Sequence, residues 1–457
     1  AFGFLPGDEG YRQEPPHGDV VHWPVLALGR YLEASGDVAV LAEPVPWHAF
    51  GAPPATLLHH ALAALDRARA DVLPGTHLVA YGEGDWNDSL QPADPQAARS
   101  MTSTWTVTLH HEALRTLAAG LAVAGGSDAL AAALREEAAL VSDDLHHHLL
   151  VDGELAGYAQ FPGAGDGPGR GRTGADAPTA TRYLVHPRDE RTGLRHGAIH
   201  VIHALLGDLL DPDQAAHHAA LVRTHLMGAD GVRLFDRPPG YHGGETRDFR
   251  RAETATYVGR EIGLMYVHAH LRWCEAMAHL GDAEAPWLGL RQVLPPAVPD
   301  VVRGARRRQA NTYASSSDAA VPDRAEFAAR YDDVLAGAAG FEAGWRVYSS
   351  GPGVLVRIVV QCLLGIRRRG DAVELDPVLP ARLDGLAAVV PLAGGLLKVR
   401  FRVGQRGCGV VAVRVGGRPV AGRRTGNPYR PGGVLVRLVD LAPALSPGGP
   451  EVEVDVA

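Results

Sequence analysis

The sequence predicts a mainly α-helical protein followed by a small β-sandwich, an arrangement that suits an (α/α) toroid. From His22 to about Ile366, amphipathic stretches at helical spacing alternate with Gly- and Pro-rich connectors. After Ile366, short segments alternate apolar with polar residues between Gly and Pro turns. Helical periodicity alone fits a toroid and equally fits another all-helical array, so the toroid does not follow from periodicity.

The helical pattern is clear near the start of the chain, where Val25, Leu28 and Leu32 fall on one helix face. The predicted helices are Pro24–Ser35, Thr104–Gly125, Ala129–Leu150, Ala198–Leu210, Gln214–Leu226, Gly263–Leu280 and Phe327–Ala336. A stretch rich in Gly and polar residues, Gly163–Ala180, is predicted to be a surface excursion.

The strand pattern defines a second domain. The predicted strands are Leu397–Val403, Val410–Val415, Gly433–Val439 and Glu451–Val456. We therefore predict a helical domain of residues 1–366 and a β domain of residues 367–457.

Composition excludes several classes of protein. The net charge is −8 and the cationic residues are scattered except at Arg303–Arg308 and Arg367–Arg369, so we expect no nucleic-acid partner. We interpret Arg367–Arg369 as a solvated charge run. The 3 cysteines lack metal-ligand spacing and predict a reducing, cytoplasmic location. No apolar run approaches the roughly 20 residues that span a bilayer, so we expect no membrane partner.

The segment Tyr81–Leu90 has the composition of a sugar-binding loop. Its sequence, Tyr-Gly-Glu-Gly-Asp-Trp-Asn-Asp-Ser-Leu, places glycines beside an aromatic ring, an amide and carboxylates. Trp86 can lie along a pyranose, Asp85 and Asn87 can bond its hydroxyls, and Asp88 can give a proton to a glycosidic oxygen. An ordinary Asx-rich turn would have a similar composition, and from these residues alone both readings stay open.

Within this segment, Gly84–Asp88 resembles the Gly-Asp-Trp-Asn-Asp signature of glycoside hydrolase family 94, the cellobiose phosphorylase family. The resemblance continues through Glu261–Ala269 and Trp345–Gly353, and through Leu364–Ile366 and Leu375–Pro380 at the junction with a C-terminal β domain. It implies an (α/α)6 toroid followed by a jelly-roll-like β-sandwich. The chain opens without methionine and lacks the family's N-terminal β-sandwich and first barrel helices, so we expect a fragment with an incomplete toroid and a half-built donor pocket.

The resemblance also implies the roles of individual residues. Asp88 would be the general acid. The sugar-binding residues would be Asp85, Trp86, Asn87, Arg237, Tyr241, His242, Arg260 and Glu261. Phosphate would be bound by His268, Ser349, Ser350 and Gly351. His268 alone fits a core histidine as well, and the serines alone fit an ordinary turn, although successive N–H groups beside hydroxyls make a natural anion nest.

Within the family, the segments Leu234–Gly244, Gly259–Gly263, Asn311–Asp318 and Tyr348–Gly353 resemble β-1,2-oligoglucan phosphorylases most. Ser-Ser-Gly-Pro-Gly replaces the Thr-Gly-Thr of cellobiose-acting members, and Ser89 replaces the Gly that commonly follows the acid. Both departures argue against cellobiose as the substrate.

The implied reaction is reversible, inverting phosphorolysis of an oligosaccharide to α-glucose 1-phosphate, with phosphate as co-substrate and no cofactor. Phosphate is already an anionic nucleophile, so one carboxylic acid suffices, and its pKa must be raised. We expect His268 and the Ser349–Gly351 turn to share one face of the pocket, opposite Asp88.

Two other functions stay open: an inverting hydrolase in which Glu261 or Glu245 activates water, and an inactive carbohydrate-binding or assembly module. Adjacent histidines on a helix face different directions, so we expect no metal site at the His-His doublets. The resemblance allows a homodimer of the full-length protein.

Overall fold

The computed structural model describes residues 17–47, 52–87, 90–162, 180–243, 246–254, 265–306, 316–343 and 350–457. The chain divides into two compact units. Unit 1 comprises residues 1–195 with 239–255, and unit 2 comprises residues 196–238 with 256–457. The predicted excursion Gly163–Ala180 lies outside the described residues except for Ala180.

Both units contain several helices. In chain order they are α1 His22–Ser35, α2 Leu57–Ala70, α3 Pro95–Ser100, α4 Thr104–Ala124, α5 Asp128–His148, α6 Ile199–Leu206, α7 Pro212–His225, α8 Arg250–Thr254, α9 Val267–Leu280, α10 Glu284–Val293, α11 Val298–Val301, α12 Arg324–Ala329, α13 Tyr331–Leu335, α14 Ser350–Ile358 and α15 Leu438–Leu445. A π-helical turn, Val359–Leu363, continues α14. Short 3₁₀ turns occupy Val38–Ala42 and Ala381–Leu383.

Strands are short before residue 366, and most of the strands after it are longer. They are β1 Pro44–Val45, β2 Ala55–Thr56, β3 Met101–Ser103, β4 Leu150–Val151, β5 Glu154–Leu155, β6 Tyr158–Gln160, β7 Arg182–Leu184, β8 Met227–Gly228, β9 Gly231–Val232, β10 Ser317–Ala319, β11 Phe341–Ala343, β12 Ile366–Arg369, β13 Ala372–Leu375, β14 Ala387–Leu392, β15 Gly395–Val403, β16 Val410–Val415, β17 Arg418–Pro419, β18 Arg423–Arg424, β19 Val434–Arg437 and β20 Val452–Val456.

The core of unit 1 forms where α4 packs between α1 and α5. The predicted face of α1 is confirmed, because Val25, Leu28 and Leu32 are all buried. Small residues let α1 and α4 approach closely. A Cβ atom added to Gly29 would lie 2.6 Å from the backbone N of Leu117, and one added to Gly120 would lie 2.5 Å from the Gly29 carbonyl oxygen. Such a contact leaves no room for any other residue type.

Most predicted helices are confirmed. Capping residues determine where these helices begin and end. Ser127 accepts a hydrogen bond from the N–H of Leu130 and starts α5. Asp211 and Gln214 form a capping box that starts α7 two residues before the predicted position. The predicted helix Ala198–Leu210 ends early, at Leu206, where Gly207 caps it.

One predicted helix is wrong as a single element. The stretch Phe327–Ala336 is divided between α12 and α13, with Arg330 at non-helical angles of φ −111° and ψ 23°. Asp323 caps α12 through the N–H of Glu326, so this helix also starts earlier than periodicity predicts.

The C-terminal strands of unit 2 form two sheets. One has the order β12-β13-β19-β18 and the other β14-β15-β20-β16-β17. Along β15 the side chains alternate between buried and exposed, as predicted for Leu397–Val403. Apolar residues of both sheets, among them Val373 and Val399, share one core with Leu271 of α9 and Ile358 of α14.

In this region one predicted strand is confirmed with an earlier end, and one predicted charge run is wrong. The predicted strand Gly433–Val439 ends at Arg437, because the apolar residues after it form α15, whose Leu441 and Ala444 are buried. The predicted solvated run Arg367–Arg369 is paired instead. Arg367 donates to Glu374 at 3.1 Å and to Asp376 at 2.5 Å, and only Arg368 of the three is exposed.

The predicted boundary at residue 366, the toroid and the sandwich remain predictions. Within the described residues, no helix is both long and apolar enough to cross a membrane.

Candidate active site

A buried hydrogen bond and two glycines determine the backbone path of the loop Tyr81–Asn87 in unit 1. The Tyr81 hydroxyl is buried and donates to the carbonyl oxygen of Leu90 at 2.9 Å. Gly82 and Gly84 have φ values of 64° and 130°, which favour glycine. A Cβ atom on Gly84 would also come within 3.1 Å of the Gln91 side chain. The loop therefore needs glycine at both positions.

Asp85 is the anchor of this loop. It is 1% exposed, and its Oδ1 accepts the N–H of Asn87 at 2.8 Å. Its Oδ2 accepts the hydroxyls of Ser103 at 2.9 Å and Thr106 at 3.3 Å, at the start of α4. Both oxygens are therefore engaged by the chain itself.

A second buried carboxyl, Asp19, interacts with Asp85. Burial, and next the charge of Asp19, raise the pKa of Asp85 to about 8. Burial also raises the pKa of Asp19, which accepts the indole N–H of Trp23 at 3.0 Å. Sequence reasoning missed Asp19, because a single Asp before a helix resembles an ordinary cap.

Three tryptophans form an aromatic row beside the loop. The ring centroid of Trp86 lies 6.2 Å from that of Trp105, which lies 6.1 Å from that of Trp23. Trp86 is half-buried. A partly exposed indole backed by other rings is a suitable platform for the apolar face of a sugar.

The side-chain amide of Asn87 is buried and has no hydrogen-bond partner in the part of the chain that the structure describes. Asn87 is 2% exposed, and within the described residues neither its amide nitrogen nor its amide oxygen has a hydrogen-bond partner. Leaving a buried amide unsatisfied costs about 1–3 kcal/mol, so native proteins rarely do so without a ligand or water to bond. This amide has the free bonding capacity that a sugar hydroxyl needs.

Several predicted site residues lie outside the described residues. These are Asp88, Arg260, Glu261 and Ser349, and also Ser89 and Glu245. The roles of these residues remain predictions.

The predicted sugar-binding residues between 237 and 242 are divided between the units. Arg237, in unit 2, is half-exposed and pairs with Asp236 at 3.2 Å. In unit 1, Tyr241 is 44% exposed, and His242 lies 4.0 Å from the carboxylate of Glu253.

Glu253, which sequence reasoning missed, organises the loop that follows His242. The buried carboxylate accepts the backbone N–H groups of Arg247, Asp248 and Phe249 at 2.6 to 2.8 Å. An acidic residue in a short helix gives no sequence signal for such a role, since its partners are backbone groups.

His268 lies in the first turn of α9, in unit 2. Burial, and next the nearby charges of Arg272, His203 and Arg357, lower its pKa to about 3. The imidazole is therefore neutral near pH 7. A neutral imidazole can still donate one N–H to an anion.

Ser350 and Gly351 begin α14, and Gly351 is buried. N–H groups at the start of a helix lack partners within the helix and favour anions. The side chain of Ser350 lies outside the described structure. Among the described residues, no group of three or more His, Cys, Asp or Glu side chains is gathered as a metal site.

Comparison with known proteins gives the chain its relatives. It is 36% identical over 435 residues to the 1,2-beta-oligoglucan phosphorylase of Listeria innocua, a match that covers 94% of this chain and 38% of that protein. The chain is thus similar to this phosphorylase over nearly all of its own length. The resemblance predicted from the sequence is confirmed by this match. No protein-family model matches the chain.

Two more distant similarities accompany this phosphorylase relative. The cyclic beta-(1,2)-glucan synthase NdvB of Rhizobium meliloti is 25% identical over 425 residues, which cover 86% of this chain and 13% of that protein. A solved structure titled "Sialidase" matches with a TM-score of 0.52 at 13% identity, over 91% of this chain and 32% of its own, and shows the fold alone. The chain spans less than two fifths of the length of either curated relative.

Proposed function

We propose that the protein carrying this chain is an inverting glycoside phosphorylase of family 94, acting on β-1,2-linked gluco-oligosaccharides. The reaction is reversible: phosphate releases α-glucose 1-phosphate and leaves a shortened oligosaccharide. The observation that carries the proposal is the 36% identity to a 1,2-beta-oligoglucan phosphorylase across 94% of the chain.

In the proposed mechanism, Asp88 protonates the leaving glycosidic oxygen while phosphate attacks the anomeric carbon from the opposite face. No general base is needed, because phosphate is already anionic. The C–O bond to the leaving sugar breaks as the C–O bond to phosphate forms, and the anomeric configuration inverts.

The sugar is assigned to the Tyr81–Asn87 loop. Its aromatic platform, Trp86, and the unsatisfied amide of Asn87 support this assignment. Asp85, Arg237, Tyr241, His242, Arg260 and Glu261 complete the proposed sugar-binding set.

Phosphate is assigned to His268, Ser349, Ser350 and Gly351. Because the pKa of His268 is about 3, the histidine acts here as a neutral N–H donor. Positive charge for the anion comes instead from the arginines that lower this pKa.

The test incubates the complete protein with linear β-1,2-glucan oligosaccharides, with and without phosphate, and measures glucose 1-phosphate and free glucose. Phosphate-dependent α-glucose 1-phosphate is the expected result. Phosphate-independent glucose would overturn the proposal in favour of a hydrolase, and the absence of both products would leave only a binding or assembly role.

Asp88→Asn should lower the phosphorolysis rate by about 10²-fold or more, because the amide keeps the shape of the acid but cannot donate its proton. Oligosaccharide binding, measured by calorimetry, should persist. Near-normal turnover of this variant would remove Asp88 from the role of acid.

A further inference from the structure

The face of α9 that carries His268 also carries Arg272 and Glu275. Steps of four and three residues place these side chains one above the other on the helix. Glu275 accepts a hydrogen bond from Arg272 on the same helix. Their side chains are each 14% exposed, so water screens this pair only partly.

Glu275 also bonds α14. Both Nη atoms of Arg357 donate to the two carboxylate oxygens, at 2.5 and 2.7 Å. A two-point contact between guanidinium and carboxylate fixes orientation as well as distance. Beneath it, Leu271 of α9 and Ile358 of α14 lie in the same apolar core, so the ion pair and the core together fix how the two helices pack.

Arg357 lies seven residues after Ser350, which is about two helical turns and therefore on nearly the same face. The contact at Glu275 therefore ties α14 to α9. His268 is on the first turn of α9, and Ser350 and Gly351 are the first residues of α14.

We propose that Glu275 is a positioning residue for the phosphate site. It holds Arg272 and Arg357 in place and so sets His268 of α9 against the N-terminal turn of α14. The inference rests on the proposed function, because it assumes that these two elements bind phosphate.

Replacing Glu275 removes the charge that orders both arginines and leaves them facing each other. Glu275→Gln in the complete protein should therefore raise the KM for phosphate about tenfold, the scale expected for lost charged hydrogen bonds and misplaced binding groups. The KM for the oligosaccharide, and kcat at saturating phosphate, should stay within about twofold, since this network does not include Asp88 or the Tyr81–Asn87 loop.

The matched control is Asp282→Asn. Asp282 pairs with Arg223 of α7 at 2.9 Å just after the end of α9, and it caps α10. This control removes an ion pair at the end of α9 and should leave the phosphate KM unchanged. Rescue is tested with Glu275→Asp, and with the double variant Glu275→Arg and Arg357→Glu, both of which should recover part of the phosphate affinity.

An unchanged or lowered phosphate KM in Glu275→Gln would overturn the inference, as would equal changes in both KM values. Failure of the proposed function is a separate outcome, because the unmodified protein would then give no phosphate-dependent glucose 1-phosphate.

Discussion

At the scale of the residue, the buried carboxyl of Asp85 should make stability depend on pH. Its pKa is about 8 in the folded protein against 3.8 ordinarily, so between these values the folded state holds a proton that the unfolded state has lost. The contribution of Asp85 to stability therefore falls as pH rises from about 4 to about 8. Asn cannot titrate, so Asp85→Asn should lack this decline.

The measurement is the melting temperature of the unmodified protein and of Asp85→Asn from pH 4 to pH 9. The melting temperature of Asp85→Asn should approach that of the unmodified protein as pH rises. Parallel curves of melting temperature against pH would contradict the raised pKa of Asp85. Asp19→Asn is the control. It removes the neighbouring charge and should move the decline towards lower pH.

His268→Ala should weaken phosphate much more than oligosaccharide. Losing a hydrogen bond to a charged group costs about 1.5–3 kcal/mol, which is roughly a 10- to 150-fold rise in the KM for phosphate. A core histidine would behave differently, since its truncation would lower the melting temperature and affect both substrates alike. An unchanged phosphate KM with a lower melting point would return His268 to that role.

At the scale of the element, the contact between α1 and α4 depends on glycine. A Cβ atom at Gly29 would lie 2.6 Å from backbone atoms of Thr116 and Leu117, which cannot rotate away. Gly29→Ala should therefore separate the helices and lower the free energy of unfolding by about 1–3 kcal/mol.

Gly426→Ala is the matched control for this substitution, because a Cβ atom there would have no heavy atom within 4 Å. It should be neutral or slightly stabilising, through a less flexible unfolded chain. Equal denaturation midpoints for the two variants would show that α1 and α4 can separate at no cost.

At the scale of the whole molecule, the chain accounts for 38% of the length of its phosphorylase relative. The activity, the substrates and the partners proposed above therefore belong to the complete protein. Each kinetic experiment uses that protein for this reason.

The sequence by itself determined the local elements and the family resemblance. Helices such as α1, α4 and α5, and strands such as β15, can be predicted from the periodic spacing of apolar residues within each segment. The Gly84–Asp88 motif indicated a phosphorylase, because a short contiguous signature can be recognised without knowledge of the fold.

Only the tertiary structure decided which distant side chains meet. It joined Glu275 to Arg357 across 82 positions of the chain, coupled Asp19 to Asp85, and paired Arg367 with Asp376 where the sequence predicted a solvated run. It also turned the apolar residues after Arg437 into a helix. Pairing and burial depend on groups brought together by packing, and local propensity contains no information about those partners.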